Sequence, residues 1–557
     1  MAGAVRRYEL DWLKVIVTLL VLCFHTARVF DSEDWNIKND PLLERRAPIE
    51  ALIKAGKHQE PPLIAPERVR AFLASRPFER TDQEAFARIT TSTDQIVRLA
   101  GELQTGVVYQ YSALAVLRAV RDLAGPAGGR LLALVPSGRH WAQQMERGTG
   151  IAAMDLESFL ALPQTRLPRH VFLIVDYAAF AGGEQLEALL ERVRATDSRA
   201  LLVGQPVFLG ADLLVSFLNQ WFMPLFFLIA GSGSWFALGR RSGRQYIVER
   251  TGRLFVPFLF GTLVIVPPQA YCQWLTAATE PVAYLQFYPR FLGLTFFRGA
   301  PEWGHLWFVI YLFVFSLVAL PLFLWLRRPA GQRLLERLGS WCEKPAVILL
   351  AGVPVAVVEA ALRGRWGFGH YNLIDDWSDV CYYLLFFVYG YLLAADERFG
   401  RAIDRLWPLA LGLAGILMVG MFSLSYLDLA PDRGYSPAYL TVISLHGLRA
   451  WLWLVGILGL ARRALNFENP FLRYAGEAAY PFYILHQTVI IVVGFFVVRW
   501  SLTAPLKFGA IALASLILTL ALYELGVRRL ALTRLLFGLK RHRPRLSQAQ
   551  TASATLK

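Results

Sequence analysis

Cysteine is scarce in this 557-residue chain, and the four present, Cys23, Cys272, Cys342 and Cys381, lie in or beside apolar runs without metal-ligand spacing. Residues 41 to 212 contain none. No disulfide framework and no metal site is implied. Acidic residues are also in short supply, with 42 Asp and Glu against 57 Lys and Arg, for a net charge of +15. Such an excess can indicate nucleic acid. Here the basic residues gather in short segments between alternate apolar runs, so they report membrane orientation instead, and no nucleic-acid partner is expected. A cleavage site is missing as well. Arg6 and Arg7 precede an apolar run as in a signal peptide, but Lys14 interrupts the run and no small-residue site follows. The run reads as an uncleaved first span with a cytoplasmic N-terminus.

What is present is apolar surface. Mean hydropathy is +0.41, with 55% hydrophobic and 13% aromatic residues, and several runs exceed the roughly eighteen residues of a spanning helix. After residues 8 to 30, such runs recur near 213–238, 254–275, 305–326, 345–362, 379–395, 407–427, 438–461, 479–499 and 508–526. The expected fold is an all-α polytopic membrane bundle of ten transmembrane helices. Basic clusters at Arg240 to Arg253, Arg327 to Lys344, Glu397 to Arg405, Arg462 to Arg473 and Arg528 to Arg545 fall on the side of the N-terminus, which makes both termini cytoplasmic. Between the first two spans the composition turns polar over 41 to 212, with a single Trp. That stretch is expected to be a soluble, extracytoplasmic α/β insert of the doubly wound type. Its strand candidates RLLALVP, HVFLIVDYA and ALLVG alternate with amphipathic stretches. The domains are then 1–40, 41–212, 213–535 and a basic tail, 536–557, that has no apolar pattern, reads as disordered and is placed to meet anionic headgroups.

The first span, YELDWLKVIVTLLVLCFHTARVF, carries Asp11, Lys14 and His25, and ionisable groups inside a bilayer are costly unless paired or facing a polar cavity. Lys14 and His25 are eleven residues apart. At about 100° per residue they share one stripe, about 16 Å apart along the axis. They would line a passage, or Lys14 would snorkel and His25 bond a neighbouring helix; spacing alone leaves both open. Further along, FFLIAGSGSWFALGRR offers Gly231 to Ser234 for close helix approach, and Arg250-x-x-Arg253 places two guanidiniums one turn apart. Such a pair suits phosphate or merely fixes topology. GHLWFVIYLF places His305 and Trp307 at the outer mouth of the fourth span, where they are common interface residues. YPFYILHQ puts His486 inside the ninth, with Tyr480 and Tyr483 nearby. The loop RGRWGFGHYNLIDDW would meet a sugar or be simply solvated.

Taken together and in order, these residues resemble acyltransferase family 3, a group of bacterial multi-pass membrane enzymes. Lys14 and His25 match its first-helix signature, Arg250 and Arg253 its R-x-x-R, and FFLIAG, GHLWFV and YPFYILHQ resemble family segments. The opening DWLKVIVTLLVLCFHTARVFD is most similar to the branch containing glucan biosynthesis protein C, associated with succinylation of periplasmic glucans. The resemblance implies a multi-pass protein of the inner membrane. Its expected activity moves an acetyl- or succinyl-type group from cytoplasmic acyl-CoA, as donor, to a hydroxyl of an extracytoplasmic glycan or lipid-linked sugar. It makes His25 the candidate base, with Lys14 lining the donor channel or countering charge that develops at the carbonyl, Arg250 and Arg253 on the coenzyme A phosphates, His486 a second catalytic candidate that with His305 would orient the acceptor, and Trp307 on the acceptor side. A transiently acylated His is an alternative. Two other classes compete, a membrane-anchored scaffold presenting the insert and a transporter; the latter should show internal repeats, and the halves show no convincing similarity.

The insert in turn resembles the nucleotide-binding core of superfamily 1 helicases, in a degenerate form. GVVYQYSAL stands at the phosphate loop with Gly106 but no Lys, Tyr177 follows Asp176 where a Glu is usual, and Gln205 replaces an Asp. Without the Lys that reaches the phosphates, no ATP is expected there.

Overall fold

A computed structural model provides the architecture. It describes residues 7–30, 209–277, 282–293 and 303–539 apart from breaks of one or two residues, and between 105 and 203 the strands and helices named below with short flanks. The nucleotide-loop stretch beyond Val108, Tyr177 and Gln205 lie outside the described residues. The chain divides into two units, one of residues 1–26, 214–493 and 511–557 and the other of 27–213 and 494–510.

Among the described residues, eight helices are long and apolar enough to cross a bilayer: Tyr8–Ala27, Leu213–Leu238, Gly243–Leu275, Trp377–Ala395, Glu397–Leu424, Pro437–Ala464, Pro470–Val497 and Ala504–Val527. Two bent pairs, Gly304–Val318 with Leu320–Leu326 at 47° and Pro329–Cys342 with Val347–Leu362 at 119°, bring the number to ten if each is one span. Each bend has a local cause. In the first pair Pro321 follows the break and cannot donate to the carbonyl four residues earlier. In the second, Ala346 takes φ +63°, in the left-handed region, where a right-handed helix cannot continue. Burial sorts the spans. The ninth is 67% buried and the seventh only 11%. On the seventh, Leu409, Leu413, Ile416 and Val419 recur at three and four residues and are exposed, an apolar face suited to hydrocarbon. This is a multi-pass membrane protein.

Close packing in the first unit follows the small residues. A β-carbon on Gly231 would lie 1.8 Å from the Phe387 carbonyl oxygen and one on Gly390 1.8 Å from that of Leu228. The second and sixth spans therefore touch backbone to backbone, and Ser232 Oγ donates across to Gly390 at 2.9 Å. The first and ninth spans run parallel. Trp12 Nε1 donates to the carbonyl of Phe467, just before the ninth span, at 3.0 Å, and Lys14 reaches Gly476 and His25 reaches His486 further along.

In the second unit, strands β1 (Thr105–Val108), β2 (Leu131–Val135), β3 (Ala152–Asp155), β4 (Phe172–Asp176) and β5 (Arg199–Val203) form one sheet. Its order is β1-β5-β4-β2-β3 and every pairing is parallel. Buried Leu134, Leu173 and Val175 of the sheet pack with Leu156, Phe159, Leu189 and Val193 from helices Leu156–Ala161 and Gly183–Ala195. Asp155 caps the first of these helices, accepting from the Ser158 amide at 2.8 Å, as an N-cap aspartate does. Gly106 is paired within β1, opposite Leu201.

Candidate active site

Three histidines from separate spans meet in the first unit. His486 is fully buried, His305 is 4% exposed, and the His486 ring lies 4.9 Å from that of His25 and 5.2 Å from that of His305. Their hydrogen bonds assign the tautomers. His486 Nδ1 is 2.6 Å from the Tyr483 carbonyl oxygen, and a carbonyl only accepts, so Nδ1 carries the proton and Nε2 the lone pair. That Nε2 lies 3.0 Å from His25 Nδ1, which also lies 3.1 Å from the Val21 carbonyl. Both neighbours are acceptors. His25 is thus protonated at Nδ1, and in the neutral ring its basic lone pair sits on Nε2. His305 donates from Nε2 to the Ile484 carbonyl at 2.9 Å, which leaves its buried Nδ1 with no protein partner. No group of three His, Cys, Asp or Glu among the described residues could hold a metal ion.

The local sequence makes these positions. Gly304, just before His305, has φ +51°, and a β-carbon there would fall 2.3 Å from Gln269 Nε2. Only glycine suits both constraints. The Tyr483 hydroxyl donates to the His305 carbonyl, tying the fourth span to the ninth. His305 therefore sits inside the bundle beside His486, not at an interfacial mouth. Trp307 does lie toward the loop: its ring stacks on Tyr371 with centroids 4.0 Å apart and a 12° interplanar angle, and Trp303 Nε1 donates to the Tyr371 carbonyl at 2.8 Å.

Away from the histidines, the seam between the first and ninth spans stays polar. Lys14 Nζ donates to the Gly476 carbonyl at 2.6 Å. On the ninth span Gly476, Tyr480 and Tyr483 follow the four-and-three spacing of one face, and His486 comes three residues later. The stripe expected on the first helix thus meets a matching one on its neighbour. Arg250 and Arg253 do not behave as the simple turn suggested. The helix passes into a π-helical turn over Thr251–Phe255, whose wider winding spreads residues three apart. Arg250 turns inward, donating to Ser234 Oγ at 3.0 Å and lying 4.8 Å over the Tyr246 ring. Arg253 is 48% exposed and pairs with Glu249 at 3.3 Å.

A second polar cluster was not anticipated. Arg363 is buried, bonds both oxygens of Glu359 at 2.6 and 3.2 Å and Asp379 at 2.8 Å, and donates to the Gly367 carbonyl at 3.0 Å. The guanidinium lies 3.9 Å over the Phe368 ring, and His446 Nδ1 is 3.3 Å from Glu359. Asp376, fully buried, accepts from the Tyr311 hydroxyl. The loop from Arg363 to Trp377 is thus pinned at both ends, and the solvated alternative fails for Arg363 and Asp376. A cavity of about 860 Å³ lies elsewhere, lined by Arg7, Glu9, Trp235, Trp407, Asp404 and Arg462 among others. Two of its arginines are engaged by its acids, Arg7 by Glu9 and Arg462 by Asp404.

A family model described as an acyltransferase domain, that of acyltransferase family 3, matches residues 198–524, and one described as an AAA domain matches 80–211. The first match spans more than half of the chain and contains Arg250, Arg253, His305, Trp307 and His486; Lys14 and His25 precede it. No curated protein and no solved structure matches the chain.

Proposed function

The chain belongs to acyltransferase family 3, and from that premise we propose that it transfers an acyl group, of acetyl or succinyl type, from cytoplasmic acyl-CoA to a hydroxyl of an extracytoplasmic glycan or lipid-linked sugar. The observation that supports this reading most is the His25–His486 contact at the end of a polar seam that begins at Lys14. A hydroxyl is a poor nucleophile near neutral pH. In the proposed reaction His25 Nε2 takes the hydroxyl proton while the oxygen attacks the thioester carbonyl. The tetrahedral adduct collapses, the carbon–sulfur bond breaks, and the imidazolium returns its proton to the departing thiolate. His486 accepts from His25 Nδ1–H throughout, which fixes the tautomer and stabilises the His25 imidazolium as it forms. It plays the orienting part a carboxylate plays in other triads, without adding a charge to the membrane interior.

Arg250 and Arg253 would meet the phosphates of the donor, Arg253 from its exposed position and Arg250 from the bundle side, and Lys14 would line the donor's path. Trp307 and its stacked Tyr371 would face the acceptor. This assignment places both termini in the cytoplasm of a bacterial inner membrane and the insert outside it, where the lack of a phosphate-loop Lys fits a scaffold without ATPase activity. The test is mass spectrometry of envelope glycans and lipid-linked sugars from cells with and without the gene. A mass shift of one acetyl or succinyl group, lost on deletion and restored by the parental gene, is expected; identical spectra would contradict the proposal.

A further inference from the structure

Among the described polar side chains of the seam, Tyr480 is the one whose hydroxyl the protein does not use. Its oxygen is buried and without a hydrogen-bond partner, whereas the hydroxyl of Tyr483, one turn on, is bonded to the His305 carbonyl. A buried hydroxyl left unpaired costs on the order of 1–3 kcal/mol, and a phenylalanine would fill the same space without that cost. The position of Tyr480 is well bounded. Gly538 has φ +68°, and a β-carbon there would lie 2.7 Å from the Arg253 carbonyl oxygen, 2.9 Å from Tyr480 Cε1 and 3.1 Å from Pro257. The Tyr480 ring therefore stands against the π-turn that carries Arg253. Along its own helix it is about 6 Å past Gly476, the level of Lys14, and about 9 Å short of His486.

A donor whose phosphates meet Arg250 and Arg253 and whose thioester meets His25 must thread its pantetheine arm between the two. The polar groups of that arm are amides, neutral and hydrogen-bonding. A neutral buried O–H suits an amide carbonyl, whereas phosphates are served by the guanidiniums. We propose that Tyr480 is a donor-site residue whose hydroxyl donates to an amide carbonyl of the pantetheine arm of acyl-CoA. This rests on the acyl-CoA reading above.

The experiment compares two probes on the purified full-length protein, acetyl-CoA and adenosine 3′,5′-bisphosphate, which keeps the nucleotide end and lacks the arm. Tyr480→Phe should weaken acetyl-CoA binding about three- to tenfold, the worth of one net hydrogen bond, and leave the bisphosphate affinity unchanged. Replacing Arg250 and Arg253 by Ala should weaken both. Ligand-free Tyr480→Phe should melt no lower than the parent, because the hydroxyl has no partner to lose. Parental acetyl-CoA affinity in Tyr480→Phe, with both probes lost in the arginine variant, would overturn the role of Tyr480 and keep the donor reading. Equal weakening of both probes by Tyr480→Phe, or a lower melting temperature, would also overturn it. Undiminished acetyl-CoA binding by the arginine variant would remove the donor reading itself.

Discussion

Two sets of polar side chains are buried among the spans, and they are satisfied to different degrees. In the cluster of Glu359, Arg363 and Asp379, a guanidinium faces two carboxylates, a backbone carbonyl and an aromatic ring. The guanidinium bridges both carboxylates, and each of its three nitrogens has an acceptor. Among the histidines, the ring of His305 keeps an unpartnered nitrogen, and nearby Tyr480 keeps an unpartnered hydroxyl. A saturated network fixes a shape; an unsaturated one has bonding capacity left for a reactant. By that criterion the ionic cluster ties the loop from Arg363 to Trp377 to the bundle, and the histidine cluster is the one the proposed reaction draws on.

This contrast can be broken from either side. The largest effect should come from Arg363→Ala, which strands two buried carboxylates and should cost about 3–5 kcal/mol of stability, read as lost monodisperse protein and a lower melting temperature. Replacing Glu359, Arg363 and Asp379 together by apolar residues of similar size should recover most of that loss, as for other buried ion pairs. If Arg363→Ala instead left the melting temperature unchanged, the cluster would not be structural.

A smaller effect concerns Asp376 at the edge of the same cluster. Burial, and then the charge of Asp379, push its carboxyl up from 3.8 to about 6. The folded state then binds more protons than the unfolded one between about pH 4 and pH 6. Stability should fall as pH rises through that window and stay at its lower value above it. Asp376→Asn, which keeps the acceptor for Tyr311 without the charge, should flatten this dependence. A parental melting temperature that does not decline from pH 5 to pH 7 would contradict the assignment.

Much of this was legible in the sequence, and the remainder was hidden for definite reasons. The spans follow from apolar runs, and the strands at RLLALVP, HVFLIVDYA and ALLVG from short apolar blocks between helical patterns. The Lys14–His25 stripe was readable from helical spacing; that it meets Gly476 and His486 was not, because it depends on which helices are neighbours. Arg250 and Arg253 were expected on one face by counting 3.6 residues per turn, and the π-helical turn at Thr251–Phe255 defeats that count. Glu359 had its signal in the run GVPVAVVEAAL, an acid in an apolar stretch with an Arg four residues on. Its meaning needed Asp379 and His446, brought to it from other spans.

The central claim is that His25, held by His486, is the base for acyl transfer, and it is tested most directly by single-turnover transfer from labelled acetyl- or succinyl-CoA to envelope glycan acceptor with His25→Ala. The substitution removes one partly buried ring from a cluster that does not carry the fold. Donor affinity and melting temperature should therefore stay near parental values while the transfer rate falls by about 10²-fold or more. Transfer at the parental rate by a folded, donor-binding His25→Ala protein would contradict the account.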